Sequence, residues 1–162
     1  ELAKSLHTEL KHESKFFGDT ARVSIAGRDV RLLIPSTFMN LSGKSVAALA
    51  RFYQIAPENI LVVHDELDMD PGIARFKKGG GHGGHNGLRD TIKSLGNNSE
   101  FARLRIGIGH PGQANLVADY VLKKASPSDQ QLITNSIDDA LRHLSTAVEG
   151  HWEKAMTALH SL

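Results

Sequence analysis

The sequence predicts a single α/β domain over residues 1–162, built as a twisted mixed sheet surrounded by helices. Three observations carry this. Strand-like and helix-like patterns alternate along the chain. Ile60-Leu61-Val62-Val63 is a continuous apolar run, the mark of a strand covered on both faces. A length of 162 residues suits one domain around one core.

The elements follow in order. Leu2, Leu6 and Leu10 lie on one helical stripe, so 2–10 is expected to be helix. No Met and no capping residue precede it, so the start reads as cut into an existing helix. Residues 21–26 and 30–34 read as strands joined around Gly27-Arg28-Asp29, a hairpin. Residues 35–40 form a loop, and Ser42 caps a helix carrying Val46, Leu49, Ala50 and Tyr53. Pro57-Glu58-Asn59 is a turn before the strand 60–63, which ends in the acidic loop 64–70. Pro71-Gly72 turns the chain into a strand over 73–77. Leu88, Ile92 and Leu95 share a helical face over 88–95. Residues 101–108 alternate as a strand does, and Gly109-His110-Pro111-Gly112 breaks them. A short helix covers 115–122. Ser126-Pro127-Ser128-Asp129 starts a helix with Ile133, Ile137, Ala140, Leu141, Leu144 and Val148 inward, ended by Gly150. A last helix carries Trp152, Ala155, Met156 and Leu159.

Composition narrows the function. With 19 basic and 18 acidic residues the chain is near neutral, so a nucleic-acid partner must be held by a local patch. There is no Cys, which excludes disulfides, thiolate metal sites and a Cys nucleophile, and is compatible with a reducing cytoplasm. No apolar run approaches a membrane span, and no signal-peptide pattern opens the chain.

The chemistry concentrates in residues 77–90, where Gly79, Gly80, Gly81, Gly83, Gly84 and Gly87 surround His82, His85 and Asn86. So little side-chain bulk lets a ligand approach the backbone. The first turn of the helix that follows offers unpaired N–H groups to an acceptor oxygen. The competing reading is a plain glycine hinge. Two further polar clusters follow strands: Phe38-Met39-Asn40, and His64 to Asp68. If these strands are neighbours, all three clusters share one rim. Asn40 and Asn86 would bring amides, and Asp65 a carboxylate able to orient an imidazole. Ser36 and Thr37 lack the sharp elbow of a nucleophile. His64, Glu66, His82 and His85 could ligate zinc, but their spacing matches no metal motif. His7, His12, His143, His151 and His160 read as structural or solvated. Lys77 and Lys78 lead into the glycine loop, and Arg103 and Arg105 point to one strand face. They are ordinary surface charge or a phosphate clamp.

Phe38-Met39-Asn40-Leu41-Ser42-Gly43, His64 to Asp68, Gly79 to Leu88 and Arg103 to Gly112, in this order and spacing, resemble bacterial-type peptidyl-tRNA hydrolase along the whole chain. The resemblance implies a monomeric, cytoplasmic α/β hydrolase that uses no metal or cofactor and has no membrane partner. It implies cleavage of the ester between peptide and tRNA, with contacts to the acceptor arm, the 3′ end and the peptide. Asp65 resembles the carboxylate that holds the catalytic His. Asn40 and Asn86 resemble the amides that bind the peptide backbone and place the water, in the glycine setting of Gly83 and Gly84. Phe38 and Met39 resemble part of the peptide and 3′-end pocket, and His85 a supporting histidine. Lys77 and Arg105 resemble the pair that grips the tRNA 5′-phosphate, and residues 110–122 the lid.

Two departures are expected to matter. The family opens with a strand, a Gly-x-x-Asn-Pro-Gly loop and a Thr-Arg-His-Asn segment carrying the general base, and none of these runs occurs in 1–162. This chain alone is therefore expected to be inactive and poorly soluble or self-associating. The family often carries a Lys after its His-Pro-Gly turn, where this chain has Gln113-Ala114-Asn115. A non-catalytic RNA-binding protein on the same fold is the competing class.

Overall fold

The structure, a computed structural model, describes residues 2–162, the side chains of Ala114 and Ala118 apart. It divides into two compact units, Glu1–Ile60 with Lys78–Ala102, and Leu61–Lys77 with Arg103–Leu162.

The first unit begins with a short helix, α1 (Leu2–Ser5), and not the helix expected over 2–10. His7 takes a left-handed φ of 54°, and Thr8 N–H donates to Ala3 O, which closes the helix end. The chain then enters β1 (Lys11–Glu13), which pairs antiparallel with β2 (Gly18–Ile25). The reversal at His7 stops the helix after Ser5, so Leu6 and Leu10 never join the stripe with Leu2, an ending that the leucine spacing cannot report. β2 pairs antiparallel with β3 (Arg28–Pro35), Ile25 facing Arg28. The hairpin loop is thus Ala26-Gly27, one residue earlier than expected. Both have positive φ, as the type I′ two-residue turn requires.

α2 (Ser42–Phe52) buries Ser45, Ala47, Leu49 and Ala50, and Ser45 Oγ donates to Phe16 O at 2.6 Å. Phe16, 1% exposed, meets Phe52 edge-on at 5.3 Å. α3 (Asn86–Ser94) starts two residues before the predicted helix and buries Leu88 and Thr91.

The second unit holds β4 (Leu61–Glu66), β5 (Ala74–Lys78, its last residue in the first unit) and β6 (Ala102–Gly107), ordered β4-β6-β5. Ala102 N–H donates to Ile60 O and Ile108 N–H to Glu66 O, so β4 runs parallel to β6. Gly107 N–H donates to Ile73 O and Gly79 N–H to Phe101 O, so β5 runs antiparallel to it. The expected mixed pairing is found in this sheet, while the first sheet is antiparallel.

α4 (Val117–Leu122) is tied back by Tyr120, whose hydroxyl donates to Ile108 O. α5 (Pro127–Arg142) starts as the sequence predicts, Ser126 Oγ accepting from Asp129 N–H. It stops at His143, and a separate α6 (Leu144–Val148) precedes α7 (Trp152–His160). The core joins Ala74, Phe76, Leu104 and Ile106 of the sheet to Ala140, Ala147, Ala155 and Leu159 of the helices. Trp152 meets Phe76 edge-on at 5.8 Å.

Candidate functional site

In the first unit, Asn40 lies in a single 3-10 turn, Met39–Leu41, that leads into α2. Leu41 N–H donates to Phe38 O, and Ser42 Oγ donates to Met39 O at 2.8 Å. Asn40 is exposed, as are Phe38 at 82% and Met39 at 57%. The glycine loop ends beside this turn. His85 N–H donates to His82 O, and Gly84 N–H donates to His82 Nδ1 at 2.9 Å. Gly83 and Gly84 both have positive φ, which side-chain-bearing residues rarely adopt. His85 is the cap of α3: its Nδ1 accepts from Leu88 N–H at 3.2 Å. Asn86 is the exposed first residue of α3. Gly87 explains the fit of turn to helix, because a Cβ there would stand 2.7 Å from Met39 Sδ and 3.0 Å from His85 Cε1.

In the second unit, Asp65 sits on strand β4 and not in a loop, because the ladder runs on through His64, Asp65 and Glu66. Strand alternation puts Leu61, Val63 and Asp65 on one face. Val63 is 60% exposed, so the apolar run is not covered on both faces; β4 is an edge strand among the described residues. The Asp65 carbonyl accepts from His64 Nδ1 at 2.8 Å, a structural use of that histidine. The acidic loop folds back on β6, where a Cβ on Gly107 would meet Asp70 O at 2.3 Å.

The β5–β6 register sets Lys77 across from Arg103 and Arg75 across from Arg105. Ala74, Phe76, Leu104 and Ile106 face the core, so these cations share the opposite face. Arg103 is 1% exposed, and burial, then repulsion from Arg105, holds its guanidinium below the usual range. Four cations thus stand on one face of this strand pair, the charge an anion would meet there.

The expected single rim required the three strands to be neighbours. They are not: β3 belongs to one sheet, and β6 separates β4 from β5 in the other. The structure does bring Phe38, Met39 and Asn40 together with His85, Asn86, Gly83 and Gly84 in one unit. Asp65, Lys77 and Arg105 belong to the other. Among the described residues no group of three or more His, Asp or Glu side chains could hold a metal ion.

The peptidyl-tRNA hydrolase family model matches residues 1–162. This chain belongs to the peptidyl-tRNA hydrolase family. A curated relative of that name from Vibrio parahaemolyticus is 59% identical over 161 residues, 99% of this chain and 82% of the relative. Another, from Teredinibacter turnerae, is 61% identical over 160 residues, 99% and 83% of the two chains. A crystal structure of peptidyl-tRNA hydrolase from Acinetobacter baumannii superposes with a TM-score of 0.94 at 51% identity, covering 98% of this chain and 80% of that one. The family's α/β fold is the fold described above. No helix among the described residues is long and apolar enough to cross a membrane.

Sequence reasoning missed several residues near these sites. Arg75 shares a face with Lys77, and their i, i+2 spacing could have shown it. The cap by His85 was legible only as a position before a helix. Asp90, whose carboxylate accepts from Gly43 N–H at 2.7 Å, gave no signal, because the bond spans 47 residues.

Proposed function

We propose that this chain hydrolyses the ester joining a peptide to the ribose of tRNA and so recycles tRNA from stalled or aborted translation. We place it in the cytoplasm as a monomer. The observation that carries this is the first-unit site: two exposed amides, Asn40 and Asn86, on a turn and a helix start that meet at Gly87, in a chain about 60% identical to curated hydrolases.

Asn40 and Asn86 bind the peptide backbone, donating N–H groups and accepting through their oxygens. Phe38 and Met39 give apolar cover to the peptide and the 3′ end. Asp65 orients an imidazole that takes a proton from water. The water oxygen bonds to the ester carbonyl carbon, the bond to the ribose oxygen breaks, and that oxygen leaves with a proton. Amide donors stabilise the developing oxyanion. His85 is a supporting residue and not that base, a reading supported by the use of its Nδ1 to accept Leu88 N–H. The resemblance puts the base in a Thr-Arg-His-Asn segment, a run that residues 1–162 do not contain. Lys77 and Arg105 hold the 5′-phosphate of the acceptor arm, a role supported by their place beside Arg75 and Arg103 on one strand face. Residues 110–122 act as the lid.

The test is release of tRNA from an N-blocked peptidyl-tRNA by the purified full gene product. Multiple turnovers are expected. Binding without release would favour the non-catalytic RNA-binding reading, which the relatives named as hydrolases do not support.

A further inference from the structure

We propose that Asp90 is a positioning residue, whose carboxylate fixes the turn carrying Asn40 against the helix carrying Asn86. This rests on the reading of both amides as peptide ligands. Asp90 is on the second turn of α3, and Asn86 opens the same helix. Its Oδ2 accepts Gly43 N–H at 2.7 Å. Gly43 is in the first turn of α2, directly after the Met39–Leu41 turn. That N–H has no partner within its own helix, so the carboxylate satisfies it and meets the positive end of the α2 dipole.

The two helices touch closely at this point. A Cβ on Gly43 would stand 2.3 Å from Asp90 O and 2.6 Å from Ser94 Oγ. A second contact, Met39 Sδ against Gly87, lies one turn earlier on α3. Thr91 Oγ1 donates to Gly87 O at 2.8 Å, on the stretch of helix between the two contacts. Asn40 therefore sits in a short turn pinned at Met39 on one side and at Gly43 on the other, both pins on α3. Removing one leaves the turn free to pivot about the other. Amide hydrogen bonds weaken steeply with angle and distance, so a small pivot costs turnover without touching the substrate.

The experiment is a kinetic double-mutant cycle in the full gene product. Asp90→Ala, Asp90→Asn, Asn40→Ala and the double variant Asp90→Ala/Asn40→Ala are assayed on peptidyl-tRNA well below their melting temperatures. Asp90→Ala should lower kcat/KM on the order of tenfold to a hundredfold. Its affinity for deacylated tRNA should not change. Asp90→Asn, which keeps an acceptor oxygen, should recover most of the loss. In the Asn40→Ala background Asp90→Ala should have little further effect, since Asp90 acts through Asn40. Additive losses, unaltered kinetics in a folded Asp90→Ala, or no recovery in Asp90→Asn would each overturn the inference. Wild-type kinetics in Asn40→Ala would instead overturn the reading of the amides beneath it.

Discussion

The two units of this chain offer opposite chemistry. The first presents uncharged amides, Asn40 and Asn86, with His85 beside them, on a turn and at a helix start. The second presents charge: Arg75, Lys77, Arg103 and Arg105 on one strand face, and Asp65 on β4. Neutral amides act through directional bonds that fail when displaced by tenths of an ångström. Charges act over about 8–10 Å at moderate salt and weaken as salt rises. A substrate with a peptide end and a polyanionic end needs both kinds of contact. The comparison teaches that damage to the two regions should separate in the assay. The first unit's losses should appear in turnover at any salt, and those of the second unit's cations in the salt dependence of binding.

The largest effect should come from the second unit's one proposed exception to this division, the carboxylate of Asp65. An acid that orients a base contributes to the chemical step and not to encounter. Asp65→Ala and Asp65→Asn should each lower kcat by about 10²–10⁴-fold, with KM little changed. Turnover close to wild type in either would remove Asp65 from the mechanism and leave the second unit a binding surface only.

Next in size are the first unit's amides. Asn40→Ala and Asn86→Ala should each cost on the order of 1–3 kcal/mol in transition-state binding. Melting should stay normal, because both residues are exposed. The loss should be the same at low and high salt. A loss that shrinks with salt would break the proposed contrast between the units.

Lys77 and Arg105 sharpen the contrast from the other side. Each Ala substitution should flatten the dependence of log affinity for deacylated tRNA on log salt by about one unit. Turnover at saturating substrate should hold. Arg75, across the ladder from Arg105, separates a clamp from a field. If the face acts as a general positive field, Arg75→Ala flattens the slope as much as Arg105→Ala. If a phosphate is gripped at one place, Arg75→Ala does less. Unchanged slope and affinity in both Lys77→Ala and Arg105→Ala would return them to plain surface charge.

What could be read from sequence follows the range of the forces. Local signals worked: the Ser126-Pro127 helix start, the hairpin at Gly27 and the glycine loop before α3 are set by neighbours in the chain. Longer-range outcomes were not legible. The stripe of Leu2, Leu6 and Leu10 was cut short by the left-handed turn at His7, which the leucine spacing does not report. Asp65 was read as a loop residue because His-Asp-Glu is polar, yet ladder bonds to β6, some forty residues on, extend β4 through it. The expected adjacency of the three strands failed for the same reason: order along the chain does not show that β6 lies between β4 and β5. The candidate residues themselves came from motif and resemblance. The joint between Asp90 and Gly43 that holds two of them required coordinates.

The smallest expected effect concerns stability in the second unit, where the positive face and a histidine meet. His160 Nε2 accepts Phe76 N–H at 3.1 Å, so α7 satisfies a backbone donor of β5. Burial, then repulsion from Arg75 and Arg105, holds the imidazole below its ordinary pKa of 6.5. An accepting nitrogen must be unprotonated, which agrees in direction. The sign follows. Below about 6.5 the unfolded chain binds a proton that the folded chain resists, so stability is lost as pH falls through the unfolded value toward the folded one. Above it both states are neutral and the contribution is complete. Thermal unfolding should therefore show a melting temperature that drops on the acid side. His160→Gln, whose side-chain oxygen can still accept but does not titrate, should reduce that drop while leaving the neutral-pH value nearly unchanged. The first unit's sites lie outside this bond, so turnover at neutral pH should not respond. An acid-side drop identical in wild type and His160→Gln would show that the proton is taken up elsewhere, and that the positive face does not reach the edge of its own sheet.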